Sequence, residues 1–108
     1  MEFGLKENII RDIQNVFSGF PEVEGVILFG SRAIGNYKNG SDIDLALKGN
    51  ITHLLLNNIS LKMDELFVPY TFDLVIFNDI DNPGLLANVN KDGVTIYKKW
   101  FWNILSPK

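Results

Sequence analysis

The chain has 108 residues, 46% of them apolar and 21% charged, with a formal net charge of −3 and no cysteine. That balance suits one folded domain and not a disordered chain, and it excludes disulfides, zinc–thiolate centres and thiol nucleophiles. The acidic charge also argues against stable binding of long nucleic acid, since domains that grip it by bulk electrostatics are usually basic. No apolar run reaches membrane-spanning length, and Met1 to Glu7 lack a basic-then-apolar leader pattern. A cytoplasmic protein without membrane contact is therefore expected.

Leu5, Ile9, Ile10, Ile13, Val16 and Phe17 recur at three- and four-residue spacing, which predicts an amphipathic helix stopping near Ser18-Gly19, with Pro21 barring continuation. Val23 to Phe29 reads as a short buried strand. Residues 31–41 carry glycines and polar groups, and are expected to form one helical turn and a loop. Residues 42–48 form a second strand, ended by Gly49-Asn50. Residues 51–67 read as a helix with Leu54, Leu55, Ile59, Leu61, Met63, Leu66 and Phe67 as candidate buried positions, although Asn57-Asn58 is an unfavourable helix interior. Phe72 to Phe77 is a third strand, and Asn82-Pro83-Gly84 opens a short helix facing inward through Leu85, Leu86 and Val89. Asp92-Gly93 turns into a last strand, Val94 to Tyr97.

The alternation of helices and strands implies an α+β domain, an α/β sandwich in which a small mixed sheet carries helices mainly on one face. The domain is expected to span residues 1–99, followed by an apolar tail over residues 100–108. Trp100, Phe101, Trp102, Ile104 and Leu105 in that tail either fold back on the core or form a partner surface.

The chemistry is concentrated in Gly30-Ser31, ten residues, then Asp42-Ile43-Asp44. Alternate strand side chains point to opposite faces, so Asp42 and Asp44 face one way while Ile43, Leu45 and Leu47 face the other. Two carboxylates held side by side repel unless a cation sits between them. Mg²⁺, which prefers oxygen ligands and recruits phosphates, is the natural candidate. The Gly-Ser turn offers backbone N–H groups and a hydroxyl suited to a phosphate. Asp73 interrupts an apolar strand, and an unpaired carboxylate buried there would be costly, so it too needs a reason.

Arg32 and Ser41 are further candidates for phosphate binding. For Arg32 a plain surface charge competes with that role, and for Ser41 a turn-shaping one. Lys48 is read as an ion-pair residue and His53 as structural. Tyr37 and Lys38, in the loop between the two halves of the motif, either contact a ligand or are merely solvated.

The run Phe29-Gly30-Ser31-Arg32-Ala33, then Gly35, then Ser41-Asp42-Ile43-Asp44-Leu45, with Asp73 on a later strand and Gly93 before the strand ending at Tyr97, resembles the minimal nucleotidyltransferases of the DNA polymerase beta-like superfamily. The resemblance covers residues 5–99 and implies a nucleotidyltransferase-like fold. It implies that Asp42 and Asp44 ligate two Mg²⁺ ions, that Asp73 ligates one of them and accepts the proton of the attacking hydroxyl, and that Gly30 and Ser31 hold the terminal phosphates of a nucleoside triphosphate, most simply ATP. Attack on the α-phosphate would release pyrophosphate. Small members of this type are paired with a helical HEPN-domain protein. In such pairs the nucleotidyltransferase serves as antitoxin, in some cases adding AMP to a tyrosine of the partner, and any oligomer is expected to form through that partner. A non-catalytic antitoxin and a nucleotide-binding sensor are the alternatives. Two features depart from the larger pattern. Ile34 stands where many members have a second basic residue, and template-binding or primer-binding domains are lacking, which argues against processive copying.

Overall fold

Capping residues mark where helices start in this chain. The Thr52 hydroxyl accepts from the Leu55 N–H at 3.1 Å, and the Asn82 side chain accepts from the N–H groups of Gly84 and Leu85, each satisfying donors that a helix leaves free at its first turn. The structure, a computed structural model, describes residues 2–105. Met1 of the expected domain and residues 106–108 of the expected tail lie outside the described residues. The elements run α1 (Glu7–Ser18), β1 (Val23–Phe29), α2 (Ser31–Ile34), β2 (Ile43–Gly49), α3 (His53–Asp64), β3 (Phe72–Ile76), a 3₁₀ turn (Phe77–Asp79), α4 (Pro83–Asp92), β4 (Val94–Lys98) and α5 (Lys99–Leu105).

The four strands form one mixed sheet in the order β3-β2-β1-β4. β1 runs antiparallel to both β2 and β4, joined by registers such as Phe29 opposite Asp44 and Leu28 opposite Val94. β2 and β3 are parallel, which requires a crossover, and α3 supplies it. α1 and α3 cover one face. There Ile9, Ile13 and Phe17 of α1 and Ile59 and Met63 of α3 pack on Val26, Leu28, Ile43, Leu45 and Leu47. The opposite face is only partly covered, by Val89 and Leu85 of α4 and by Phe77 and Ile80, which pack on Ile27, Phe29, Ala46 and Val75. The uncovered end of that second face is where the odd-one-out carboxylates of β2 and β3 emerge.

Three of the expected buried positions are corrected. Leu54, Leu61 and Phe67 are exposed. At 100° per residue Leu54 and Leu61 lie roughly opposite Ile59 on the helix, and α3 turns its Ile59–Met63 stripe to the sheet. The expected helix 51–67 is also longer than the observed α3, and Phe67 lies beyond its end. The apolar tail is helical as far as Leu105. Trp102 packs on the core with its ring 6.2 Å from that of Tyr97, whereas Trp100, Phe101 and Ile104 are 60%, 50% and 70% exposed. No helix among the described residues is long and apolar enough to cross a membrane.

Phe17 is fully buried and its ring lies 6.1 Å from Tyr97. Phe17→Ala is expected to destabilise the fold by about 3–5 kcal/mol, whereas Leu61→Gln should change stability by no more than about 0.5 kcal/mol. Urea unfolding of the two variants checks the contrast, and comparable losses would contradict the assigned orientation of α3.

Candidate active site

Strand register assembles the site. Ile43 pairs with Phe72 and Asp44 with Asp73 in the parallel β2–β3 ladder, so Asp44 and Asp73 stand side by side on one face, on strands about 4.8 Å apart. Just before the two strands begin, the Thr71 hydroxyl donates to Asp42 Oδ1. Thr71 was not singled out from the sequence. Its signal was available, because Thr71 precedes Asp73 by the same two residues by which Asp42 precedes Asp44, but it becomes visible only once the strands are known to be parallel and in this register.

Asp44 is the centre of the cluster. Its carboxyl is raised above the ordinary 3.8, first by burial, then by the charges of Asp73 and Asp42, and lastly by a side-chain hydrogen bond with Asp73. On the other side of Asp44 lies Gly30, at the end of β1. Gly30 has φ 77° and ψ −155°, a region in effect reserved for glycine, and a Cβ there would lie 2.2 Å from Asp44 Oδ2. The turn therefore closes onto the carboxylate at a distance that only a bare backbone allows. Ser31 follows at the first position of α2, half-buried beside this cluster.

Arg32 departs from the phosphate role expected of it. It is 2% exposed. Its Nε and Nη2 donate to the Ser41 carbonyl at 3.1 and 2.8 Å, and its Nη1 donates to the Phe3 carbonyl at 2.9 Å. The guanidinium also lies over the rings of Tyr37 and Tyr70, 5.2 and 4.7 Å from their centroids. These contacts direct the group into the protein. Ser41 is likewise engaged in the turn: its hydroxyl accepts from the Lys38 N–H at 2.8 Å while its carbonyl receives Arg32. Lys48 lies over the Phe77 ring at 4.6 Å, where an ion pair was expected. His53 makes a 3.3 Å contact with Asp79 on an exposed surface, in keeping with a structural role.

The donor set suits a hard divalent cation, because three carboxylates share one sheet face and crowding already penalises the charged form of Asp44. Among the described residues no three acidic, imidazole or thiol side chains close a cage around a single point. Mg²⁺ needs no such cage, since it takes one or two carboxylates and completes its shell with water and substrate phosphates.

The raised Asp44 carboxyl has a consequence for stability. The folded state holds this proton more tightly than the unfolded chain does, so Asp44 contributes stability at low pH that is lost as pH rises from about 3.8 through the raised value. In chelator, the thermal midpoint of the wild type should therefore fall over that window relative to that of Asp44→Asn, and Mg²⁺ should restore it. Parallel pH profiles for the two proteins would contradict the crowded-site description.

The family model described as "Polymerase beta, Nucleotidyltransferase" matches residues 11–100, and no curated protein matches the chain closely enough to count. Among solved structures, a mutant of the toxin-antitoxin MntA-HpeT aligns with a TM-score of 0.66 at 19% identity, covering 93% of this chain and 82% of that one. A toxin-antitoxin structure with AMP-PNP aligns with a TM-score of 0.65 at 23% identity, over 94% and 80% of the two chains. These likenesses establish the shared fold. The family match runs from α1 into α5 and takes in the glycine turn and all three carboxylates, and the chain belongs to the polymerase beta nucleotidyltransferase family.

Proposed function

We propose that this chain is an Mg²⁺-dependent nucleotidyltransferase that moves AMP from ATP to a hydroxyl of a partner protein, as the antitoxin of a toxin–antitoxin pair. The observation that carries this reading is the row of carboxylates, Asp44 beside Asp73 with Asp42 two residues away, closed off by Gly30. Asp42 and Asp44 would hold two Mg²⁺ ions with Asp73 completing the shell of one, and bound metal would acidify the nucleophile and neutralise charge on the phosphates. Gly30 and Ser31 receive the terminal phosphates. The acceptor oxygen forms a bond to the α-phosphorus, the bond from that phosphorus to the bridging β-oxygen breaks, and pyrophosphate leaves. Asp73, more exposed than Asp44, takes the acceptor's proton.

ATP as donor is supported by the AMP-PNP in one of the similar structures, and a toxin as acceptor by the pairing in both. A HEPN-domain protein is the partner expected from the resemblance. A second reading, neutralisation by binding alone, is favoured by the exposed Trp100, Phe101 and Ile104 of α5, since aromatic side chains are enriched at interfaces. The test is incubation of the chain with its partner, Mg²⁺ and ATP labelled at the α-phosphate. Label should move to the partner, and an unlabelled partner after complete incubation would overturn the catalytic reading.

A further inference from the structure

We infer that Arg32 is a positioning residue that sets Asp42 through a clamp made with the N-terminal turn, so that residues 3 and 4, far from the motif in sequence, belong to the active-site scaffold. The inference rests on the reading of Asp42 as a metal-binding carboxylate. Three observations support it independently. First, two Arg32 donors hold the carbonyl of Ser41, the residue immediately before Asp42, and a third holds Phe3, 29 residues away in sequence. A planar fork on a carbonyl fixes direction as well as distance, so the peptide entering Asp42 is pinned from behind. Second, the guanidinium lies over the rings of both Tyr37 and Tyr70. Tyr70 adjoins Thr71, which holds Asp42 Oδ1, so both grips on Asp42 trace back to one buried cation. Third, the N-terminal turn is shaped to fit. Phe3 has φ 59°, unusual for a residue with a side chain, and Gly4 has φ 71°. A Cβ at Gly4 would lie 2.4 Å from the Tyr37 ring and 3.0 Å from Arg32 Nη1.

A loop of glycines and polar groups leads into Asp42 and would otherwise leave this carboxylate poorly fixed. The clamp supplies the rigidity through the backbone that enters Asp42. Substituting Arg32 should therefore loosen metal binding beyond any loss of stability. Arg32→Lys keeps the charge but loses the fork and the stacking plane. Gly4→Ala alters one surface turn and pushes Tyr37 and Arg32 out of contact.

The experiment is titration of the full chain with Mn²⁺ in the presence of AMP-PNP, with free Mn²⁺ read by electron paramagnetic resonance and folding checked by circular dichroism. Both variants should remain folded and bind Mn²⁺ at least about tenfold more weakly than wild type, the scale on which groups behind metal ligands act. Folded variants with wild-type Mn²⁺ affinity would overturn the clamp, whatever their melting temperatures. Should Arg32→Lys fail to fold, Gly4→Ala decides the matter alone. A wild-type chain that holds no Mn²⁺ overturns the metal reading itself, and the clamp's role with it.

Discussion

Replacing Asp42 and Asp44 together by Asn is expected to abolish nucleotide transfer while leaving the domain folded. Asn has the same shape and its amide oxygen can still accept from Thr71, so the β2–β3 ladder has no reason to open. What is lost is negative charge. On the proposed reading the site then gathers no divalent metal, and transfer should fall by at least about a thousandfold, since bound metal would supply both nucleophile activation and charge neutralisation. The same change relieves the repulsion that burdens Asp44, so the metal-free thermal midpoint should hold or rise. Loss of activity with a stable fold is the signature of a functional cluster kept at the expense of stability. A variant that kept a tenth of the wild-type rate would show that catalysis does not depend on this row. If the variant still neutralised the partner in cells while transferring nothing, neutralisation would operate by binding alone.

Much of this site could be anticipated from local pattern. Strand alternation placed Asp42 and Asp44 on one face, and the same rule set Asp73 apart from Phe72, Leu74 and Ile76 on the other side of its strand. What local pattern could not supply was pairing. That Asp44 stands beside Asp73, and that Thr71 reaches Asp42, depends on the parallel pairing of β2 and β3, a long-range choice. Arg32 shows the reverse problem. Beside a turn whose backbone suits a phosphate, an arginine reads naturally as a phosphate ligand, yet three hydrogen bonds to two carbonyls and two aromatic rings engage it. Those partners come from residues 3, 37, 41 and 70, and no window around residue 32 contains them all. In α3 the apolar residues outnumber the positions that face the sheet, so Leu54 and Leu61 are left outside. The tail was equally divided in sequence: only the helical geometry of α5 separates Trp102, packed on the core, from Trp100 and Phe101.

Gly30→Ala is expected to be the most damaging single change that replaces no charged residue. Two effects combine. The backbone conformation disfavours any side chain by about 1–3 kcal/mol, and the new methyl would collide with Asp44 Oδ2. Either the turn moves or the carboxylate does, and a displacement of about 1 Å at a reacting centre can cost about a hundredfold in rate. Gly35 provides the control. It also has positive φ, 89°, but nothing lies within 4 Å of a Cβ built there. Gly35→Ala should therefore cost about 1 kcal/mol of stability and leave the transfer rate near that of wild type. Equal loss of activity in the two variants would mean that backbone strain alone, and not the contact with Asp44, explains why glycine stands at position 30.

The central claim is that the carboxylate row and the Gly30–Ser31 turn act together on the α-phosphate of a nucleoside triphosphate. The most direct measurement runs two reactions in parallel, with the chain, its partner and Mg²⁺, one with ATP labelled at the α-phosphate and one with ATP labelled at the γ-phosphate. Nucleotidyl transfer predicts label on the partner from the α-position only, with the γ-label recovered in pyrophosphate in equal amount. Label on the partner from the γ-position, or no label from either, would contradict the account.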